Sequence, residues 1–307
     1  MAEATESALQ DLPVADLGPL AWVFEELRKS LDGANKAIRR FVRENEAARH
    51  SDLEAVDPAA LRIARQQLHQ AVGALEVVGL GAPAQVLRGM ESAVQRFVQK
   101  PETCTEDAAG RVERASFALI EYLEAVLNHK PVQPVALFHQ YREVLELANA
   151  ERIHPADLWE TDHRAVDLAA PDGVKALEAA PAVRSLFDRL ILLVVKTQST
   201  AASQQLGKLC AGLSAGATQP RQRTFWRVAA AFFEGVATHG LAFDVYAKRA
   251  TSRLLMQFGQ LASGSAQVSE TLLNDLLFFC AQTRPKAGQP AGHLGVVREA
   301  YGFDRYQ

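Results

Sequence analysis

The chain of 307 residues has few aromatic residues, few cysteines and no long apolar run. Aromatic residues make up 7% of the sequence, and the three cysteines, Cys104, Cys210 and Cys280, lie far apart in it. An odd number of scattered cysteines predicts neither a disulfide framework nor a CxxC site, and it favours a reducing cytoplasm. The longest apolar run, residues 190–195, is far shorter than the roughly 20 residues that span a bilayer. We therefore expect a cytoplasmic protein without a membrane-inserted segment.

An excess of charge of either sign is also missing. The net charge is −3, and the sequence has no basic stretch of the kind that nucleic-acid binding needs. The first sixteen residues are acidic and lack the basic-then-apolar pattern of a signal peptide, so we expect a disordered tail over 1–16. Strand patterns are nearly absent, and the dominant residues are good helix formers. The sequence therefore predicts an all-α protein.

Apolar residues recur at helical spacing in two sets of about five segments each. In the first set, residues 17–150, we expect helices over 19–44, 57–79, 83–100, 106–129 and 135–150. In the second, residues 182–283, we expect helices over 183–198, 200–213, 221–239, 243–261 and 268–282. Prolines and a glycine predict a linker or an irregular strap over 151–181, and residues 284–307 predict a tail or linker. The pattern predicts two tandem up-and-down helical bundles.

The spacing of the apolar residues also predicts which residues of each helix face the core. On the fourth helix of the first set, Phe117 is expected among the inward residues. Asp57 is expected to cap the start of the second helix. Aromatic residues at helical spacing in the second bundle predict core positions: Phe225, Trp226, Phe232 and Phe233.

His69 and Gly73 lie one turn apart on the second helix of the first bundle. An apolar stripe runs along that helix: Leu61, Ala64, Leu68, Ala71, Val72, Leu75 and Gly79. His69 falls near the polar edge of the stripe, so we expect its imidazole in solvent with a side-chain-free glycine beside it. Such a pair suits a partner that must bring a reactive group close to a histidine nitrogen. It is equally compatible with an inert surface histidine.

The run His69-x-x-x-Gly73 resembles the histidine phosphotransfer (Hpt) domain, whose usual core is His-x-x-Lys-Gly. Three segments, 18–23, 68–76 and 224–229, are together similar to one group of proteins. That group is the N-terminal region of the CheA-type hybrid histidine kinases of the type IV pilus chemosensory system, the ChpA/PilL type. The similarity extends over nearly the whole chain, and it implies that the two bundles are tandem Hpt-like bundles.

The resemblance implies a module of a two-component phosphorelay that controls twitching motility, with His69 as the phosphoacceptor. In the second bundle Phe225 takes the histidine's place, which makes that bundle a degenerate copy. The implied partners are a response regulator or a kinase domain, and pilus-assembly scaffold proteins. A partner would supply the metal and the acidic residues, so no cofactor is expected on this chain. With no ATP-binding or receiver region, the chain would be a fragment of such a kinase or a relative that has lost the rest.

One position departs from the family pattern, because Val72 stands where a lysine would neutralise the phosphoryl group. Arg65, four residues before the histidine on the same helix face, could substitute in part. Gln70 and Glu76 are expected to line the docking surface beside Gly73. Two hypotheses remain: a phosphorelay module with a phosphorylated histidine, or a non-catalytic protein–protein interaction scaffold of the same chemosensory system.

Other patterns do not support an independent enzyme. Two Glu-x-x-His pairs have the spacing of di-iron ligands but lie in the predicted linker, so we expect no metal site: Glu151 with His154, and Glu160 with His163. Three arginines after Pro220 predict a solvated basic face, or alternatively a partner contact: Arg221, Arg223 and Arg227.

Overall fold

The structure, a computed structural model, describes residues 17–50, 56–159, 166–283 and 292–303. Within these ranges the chain folds into eleven α-helices and short 3-10 turns without any strand, which confirms the predicted all-α class. It divides into two compact units, Met1–Glu160 and Thr161–Gln307. None of the described helices combines the length and the apolar character needed to cross a membrane. The tail expected over 1–16 lies outside the described residues.

In its described part, the first unit contains five α-helices: α1 (Gly18–His50), α2 (Ala59–Val78), α3 (Gly81–Gln99), α4 (Glu106–Leu127) and α5 (Phe138–Leu147). Helix α2 packs against both α1 and α3, and α4 packs against α1. Helix α5 closes the bundle against α3 and α4. The described part of the first unit is thus a bundle of five helices, the number that the sequence predicts.

The ends of α2 are set by local sequence. The carboxylate of Asp57 accepts a hydrogen bond from the backbone N–H of Ala59 at 3.0 Å, at the start of the helix. Gly79 ends the helix with φ of 85°, a left-handed conformation that glycine adopts without strain. Since only Gly79 and Leu80 separate the two helices, α3 runs back along α2, and the side of α2 that carries His69 lies beside α3.

The core of the first unit contains the predicted stripe of α2, of which only Gly79 is exposed: Leu61, Ala64, Leu68, Ala71, Val72 and Leu75 are buried. On α4, the prediction that Phe117 points inward is wrong, because 64% of this residue is exposed. Phe117 is two residues away from both Ala115 and Leu119, which are fully buried. Residues at that spacing do not share a helix face, so Phe117 projects away from the core.

In its described part, the second unit contains six α-helices: α6 (Pro181–Thr197), α7 (Thr200–Gly216), α8 (Pro220–Ala237), α9 (Val245–Ala262), α10 (Glu270–Gln282) and α11 (His293–Ala300). Helix α8 is central and packs against α7, α10 and α11. It is buried around most of its circumference, as expected for a helix with apolar residues on all sides. The four aromatic residues predicted as core are each at most 1% exposed: Phe225, Trp226, Phe232 and Phe233.

Ordered structure also occurs in the segment between the two predicted bundles. The 3-10 turn Pro155–Leu158 belongs to the first unit and buries Leu158. Residues 166–180 form a strap, without regular secondary structure, that crosses α7 in the second unit. The N–H of Leu177 donates to the carbonyl of Gly212 at 2.9 Å. A Cβ on Gly212 would lie 2.9 Å from the Leu177 Cβ, so the glycine allows the strap to approach.

The predicted tail or linker over 284–307 contains a packed helix, so that prediction is wrong for residues 293–300. Helix α11 packs against α8 and buries Leu294 and Val297. Its N-terminus is capped from α8, since the Glu234 carboxylate accepts the backbone N–H of His293 at 2.9 Å. The helix is only eight residues long, and such a short helix depends on tertiary packing that local periodicity does not reveal.

Candidate functional site

His69 lies on the exposed face of α2, as predicted. Of its side chain, 70% is exposed, and its Nδ1 lies 3.0 Å from Oε1 of Glu91 on α3. An ionised carboxylate only accepts hydrogen bonds, so in this pair Nδ1 is the nitrogen that carries the hydrogen, and it donates a hydrogen bond to Glu91. In a neutral ring the lone pair is then on Nε2, and that nitrogen is the one available to an electrophile.

Glu91 is the residue of this site that sequence reasoning missed. Only 19% of its side chain is exposed, and its Oε1 also lies 3.7 Å from Nη1 of Arg65. Glu91 therefore joins Arg65 and His69, which the sequence had placed on one helix face. The sequence feature that could have identified Glu91 is the turn at Leu80. His69 and Glu91 are each eleven residues away from this turn, so an antiparallel pair of helices places them opposite each other.

The other predicted site residues lie on the same side of α2. Gln70 and Gly73 are exposed, and Glu76 is exposed but paired with Arg88 of α3. The Arg88 Nε donates to Glu76 at 3.1 Å, and its Nη1 donates to Gln85 at 2.7 Å. Glu76 is therefore a partly neutralised carboxylate, and Gln70 and Gly73 present the freer surface.

Free space and apolar residues define a surface that we call the α2 face, formed by Ile63, His69, Gln70, Gly73 and Val77. A Cβ placed on Gly73 would meet nothing within 4 Å. Ile63 is 57% exposed and Val77 is 88% exposed, one on either side of the glycine. A glycine inside a helix destabilises it by roughly 0.5–1 kcal/mol relative to alanine. No described atom of this chain occupies the space that Gly73 leaves, so the space is available to another molecule.

Val72, at the position where the Hpt pattern has lysine, is a core residue. It is only 6% exposed. A lysine there would have to extend its stem out of the core to bring its ammonium group to the surface. Positive charge near the histidine comes instead from Arg65, whose Nη1 lies 3.7 Å from the same Glu91 oxygen that His69 contacts.

His154, one of the candidate metal ligands, has a structural role. It is 4% exposed, and its Nδ1 accepts the N–H of Ala156 at 3.0 Å, so it caps the 3-10 turn. Glu160 and His163 lie outside the described residues. Across the described ranges, no group of three or more histidine, cysteine, aspartate or glutamate side chains has a metal-binding arrangement. The three cysteines are free and buried, and burial raises the pKa of Cys104 to about 12.

Two of the three arginines after Pro220, Arg221 and Arg227, are engaged inside the second unit and do not form the solvated basic face that the sequence predicts. Arg221 donates from Nε to Glu270 at 2.9 Å, which joins α8 to α10. Arg227 donates from Nη1 to the carbonyl of Ala169 in the strap at 2.9 Å, and burial lowers its pKa. These side chains therefore hold elements of the second unit together, because carboxylate and carbonyl acceptors lie within their reach.

Residues 172–307 match the family described as FimL scaffold protein second domain. No curated protein and no solved structure matches the chain. The match begins in the strap and extends through α11. It agrees with the pilus chemosensory setting of the sequence resemblance, but it does not single out the Hpt-like region of the hybrid kinases. Over its second unit, the chain is thus similar to a domain of scaffold proteins.

Proposed function

We propose that the chain is a non-catalytic scaffold of a type IV pilus chemosensory system. The observation that carries this proposal is the match of residues 172–307 to the second domain of the FimL scaffold proteins. The α2 face supports it, since an exposed helix face with apolar residues and free space is suited to a docked protein. The partner that we propose for this face is a response regulator or a kinase domain of the same system.

Gly73 allows docking to be tested separately from stability. In Gly73→Ala the new methyl group enters open space, so we expect the helix to gain about 0.5–1 kcal/mol of stability. The same methyl group would hold a docked partner away from α2, and we expect its affinity to fall about tenfold, or about 1.4 kcal/mol. The measurements are hydrogen exchange of the α2 amides and calorimetric titration with a purified response regulator of the system.

The matched control for this prediction is Gly259→Ala in α9. A Cβ there would come no closer than 4.0 Å to another residue, the Nη2 of Arg184, so the gain in helix stability should be similar. Affinity for the regulator should stay unchanged in this variant. If Gly73→Ala binds the regulator as tightly as wild type, the α2 face is not the docking surface.

The hydrogen bond between His69 and Glu91 favours a second candidate function, phosphoacceptance at His69. In that reaction Nε2 attacks the phosphorus in line, an N–P bond forms, and the bond from phosphorus to the donor's leaving group breaks. The ring then becomes cationic and keeps its Nδ1 proton, and the Glu91 carboxylate stabilises this charge. Arg65, which contacts the same carboxylate, brings positive charge to the side of the helix that the phosphoryl group would approach.

A phosphotransfer assay separates the two candidate functions, the non-catalytic scaffold and the phosphoacceptor. The chain is incubated with ATP and a chemosensory kinase domain, or with a phosphorylated regulator, and acid-labile phosphate is measured. As a non-catalytic scaffold the wild-type chain should stay unlabelled, and a labelled wild type would contradict that proposal. As a phosphoacceptor it should be labelled, His69→Gln should lose the label, and Glu91→Gln should be labelled roughly tenfold more slowly. The control is His139→Gln, at an exposed histidine of α5; equal labelling of His69→Gln would show that His69 is not the acceptor.

A further inference from the structure

Helices α1 and α4 enclose a trough of about 710 Å³ on the first unit, and none of its lining residues belongs to the α2 face. Leu31 and Ser116, which are both 2% exposed, lie at its floor. The Ser116 Oγ donates to Asn35 Oδ1 at 3.3 Å across the two helices. Phe117 lines the trough with 64% of its surface exposed, next to Ile120. The trough therefore has a floor with one apolar and one polar residue, and an apolar side that solvent reaches.

The charge of the trough is opposite in sign to that of the chain. Although the chain has a net charge of −3, five cationic side chains and two carboxylates line the trough. The cations are Arg28, Lys29, Lys36, Arg39 and Arg43. A basic surface on an acidic protein concentrates negatively charged partners and speeds their association.

Both carboxylates of the trough are already paired. Asp32 lies 2.7 Å from the Nζ of Lys36, and Glu113 accepts from the Nε of Arg39 at 2.9 Å. Lys29 and Arg43 are exposed, and neither forms an ion pair within the described ranges. Positive charge is therefore left over at both ends of the trough, with an exposed aromatic ring between the two helices.

We propose that the trough binds an acidic amphipathic helix of a partner protein. Apolar side chains of that helix would pack against Phe117 and Ile120, and its carboxylates would lie near Lys29 and Arg43. Two packed helices form a groove that accepts a third helix, and exposed aromatic residues are common anchors of such contacts. This inference rests on the proposed scaffold function and adds to it a second docking surface, with a partner of stated chemistry.

The test uses the full chain and a designed peptide helix. The acidic peptide has leucines at i, i+3, i+4 and i+7 and glutamates elsewhere, and the reference peptide has lysine in place of every glutamate. Binding is followed by fluorescence anisotropy of the labelled peptides. We expect the acidic peptide to bind at least about tenfold more tightly than the lysine peptide, and the difference to shrink as salt is added.

Variants of the trough have matched controls elsewhere in the first unit. Phe117→Ala should weaken binding of the acidic peptide about tenfold, whereas Trp22→Ala, at a residue of α1 that is 89% exposed, should leave it unchanged. Lys29→Glu should weaken it about threefold to tenfold, whereas Lys100→Glu, an equal charge change at an exposed residue outside the trough, should have no effect.

Equal binding of the two peptides, or wild-type affinity of Phe117→Ala for the acidic peptide, would overturn the inference. So would a dimer of the wild-type chain that Phe117→Ala dissociates, because the trough would then be an interface between two copies of this chain. Failure here is distinguishable from failure of the scaffold proposal. The regulator titration with Gly73→Ala involves a different surface, so it can succeed when the peptide experiment fails.

Discussion

Replacement of Arg298 by methionine should lower the stability of the second unit by about 3–5 kcal/mol. Arg298 is 1% exposed, and its Nη1 donates to the carbonyls of Cys280, Ala281 and Thr283 at 2.7–2.9 Å. These carbonyls lie at the C-terminal end of α10, where backbone acceptors have no partner within the helix and where a positive charge is stabilising. Methionine fills a similar volume but leaves the carbonyls without this donor.

Hydrogen exchange in the full chain is the measurement for Arg298→Met. We expect faster exchange in α11, in the last turn of α10 and in the central helix α8 against which α11 packs. Arg249→Met, at an exposed arginine of α9, is the control and should change stability by less than about 0.5 kcal/mol. If exchange in α8 and α11 is the same in Arg298→Met as in wild type, the buried guanidinium does not hold α11 in place.

Truncation of Trp226 to alanine should destabilise the second unit by about 3–5 kcal/mol. The indole is 1% exposed and makes edge contacts with Phe225, Phe187 and Phe258 at ring-centroid distances of 5.0, 6.2 and 6.4 Å. Its removal loses the transfer free energy of a large aromatic side chain and leaves a cavity among rings that cannot fully collapse.

The control for Trp226→Ala is Trp22→Ala, which removes the same side chain from an exposed position of the first unit. That variant should change stability by about 0.5 kcal/mol or less. Denaturant unfolding followed by far-ultraviolet circular dichroism, with exchange of the α8 amides, measures both variants. Equal stability of the two variants would contradict the assignment of Trp226 and its three neighbouring phenylalanine rings to the core of the second unit.

Much of the fold follows from local patterns. The helices expected over 57–79 and 221–239 are present with shifts of one or two residues at their ends, because proline, aspartate and glycine mark helix ends locally. Helix α11 was missed because it is short and because the docking residue, Arg298, is a charged residue that sequence reasoning places at the surface.

The candidate site was predictable in part. The exposure of His69 and Gly73 and the burial of Val72 follow from one helix alone, since a period of 3.6 residues decides which side faces the core. Glu91 was missed because its place beside His69 depends on how α3 packs against α2. The Arg227 contact with the strap was missed for the same reason: its acceptor, Ala169, is far away in the sequence.

The all-α class, the main helices and the exposed histidine with a glycine one turn away follow from the amino-acid sequence alone. These are properties of single helices, which the periodicity of their apolar residues encodes directly. The packing of the helices, in contrast, establishes that Glu91 accepts a hydrogen bond from Nδ1 of His69, that Phe117 lines a basic trough, and that Arg298 holds the last helix. Such contacts join residues far apart in the chain, and they depend on which helices pack together and in which register.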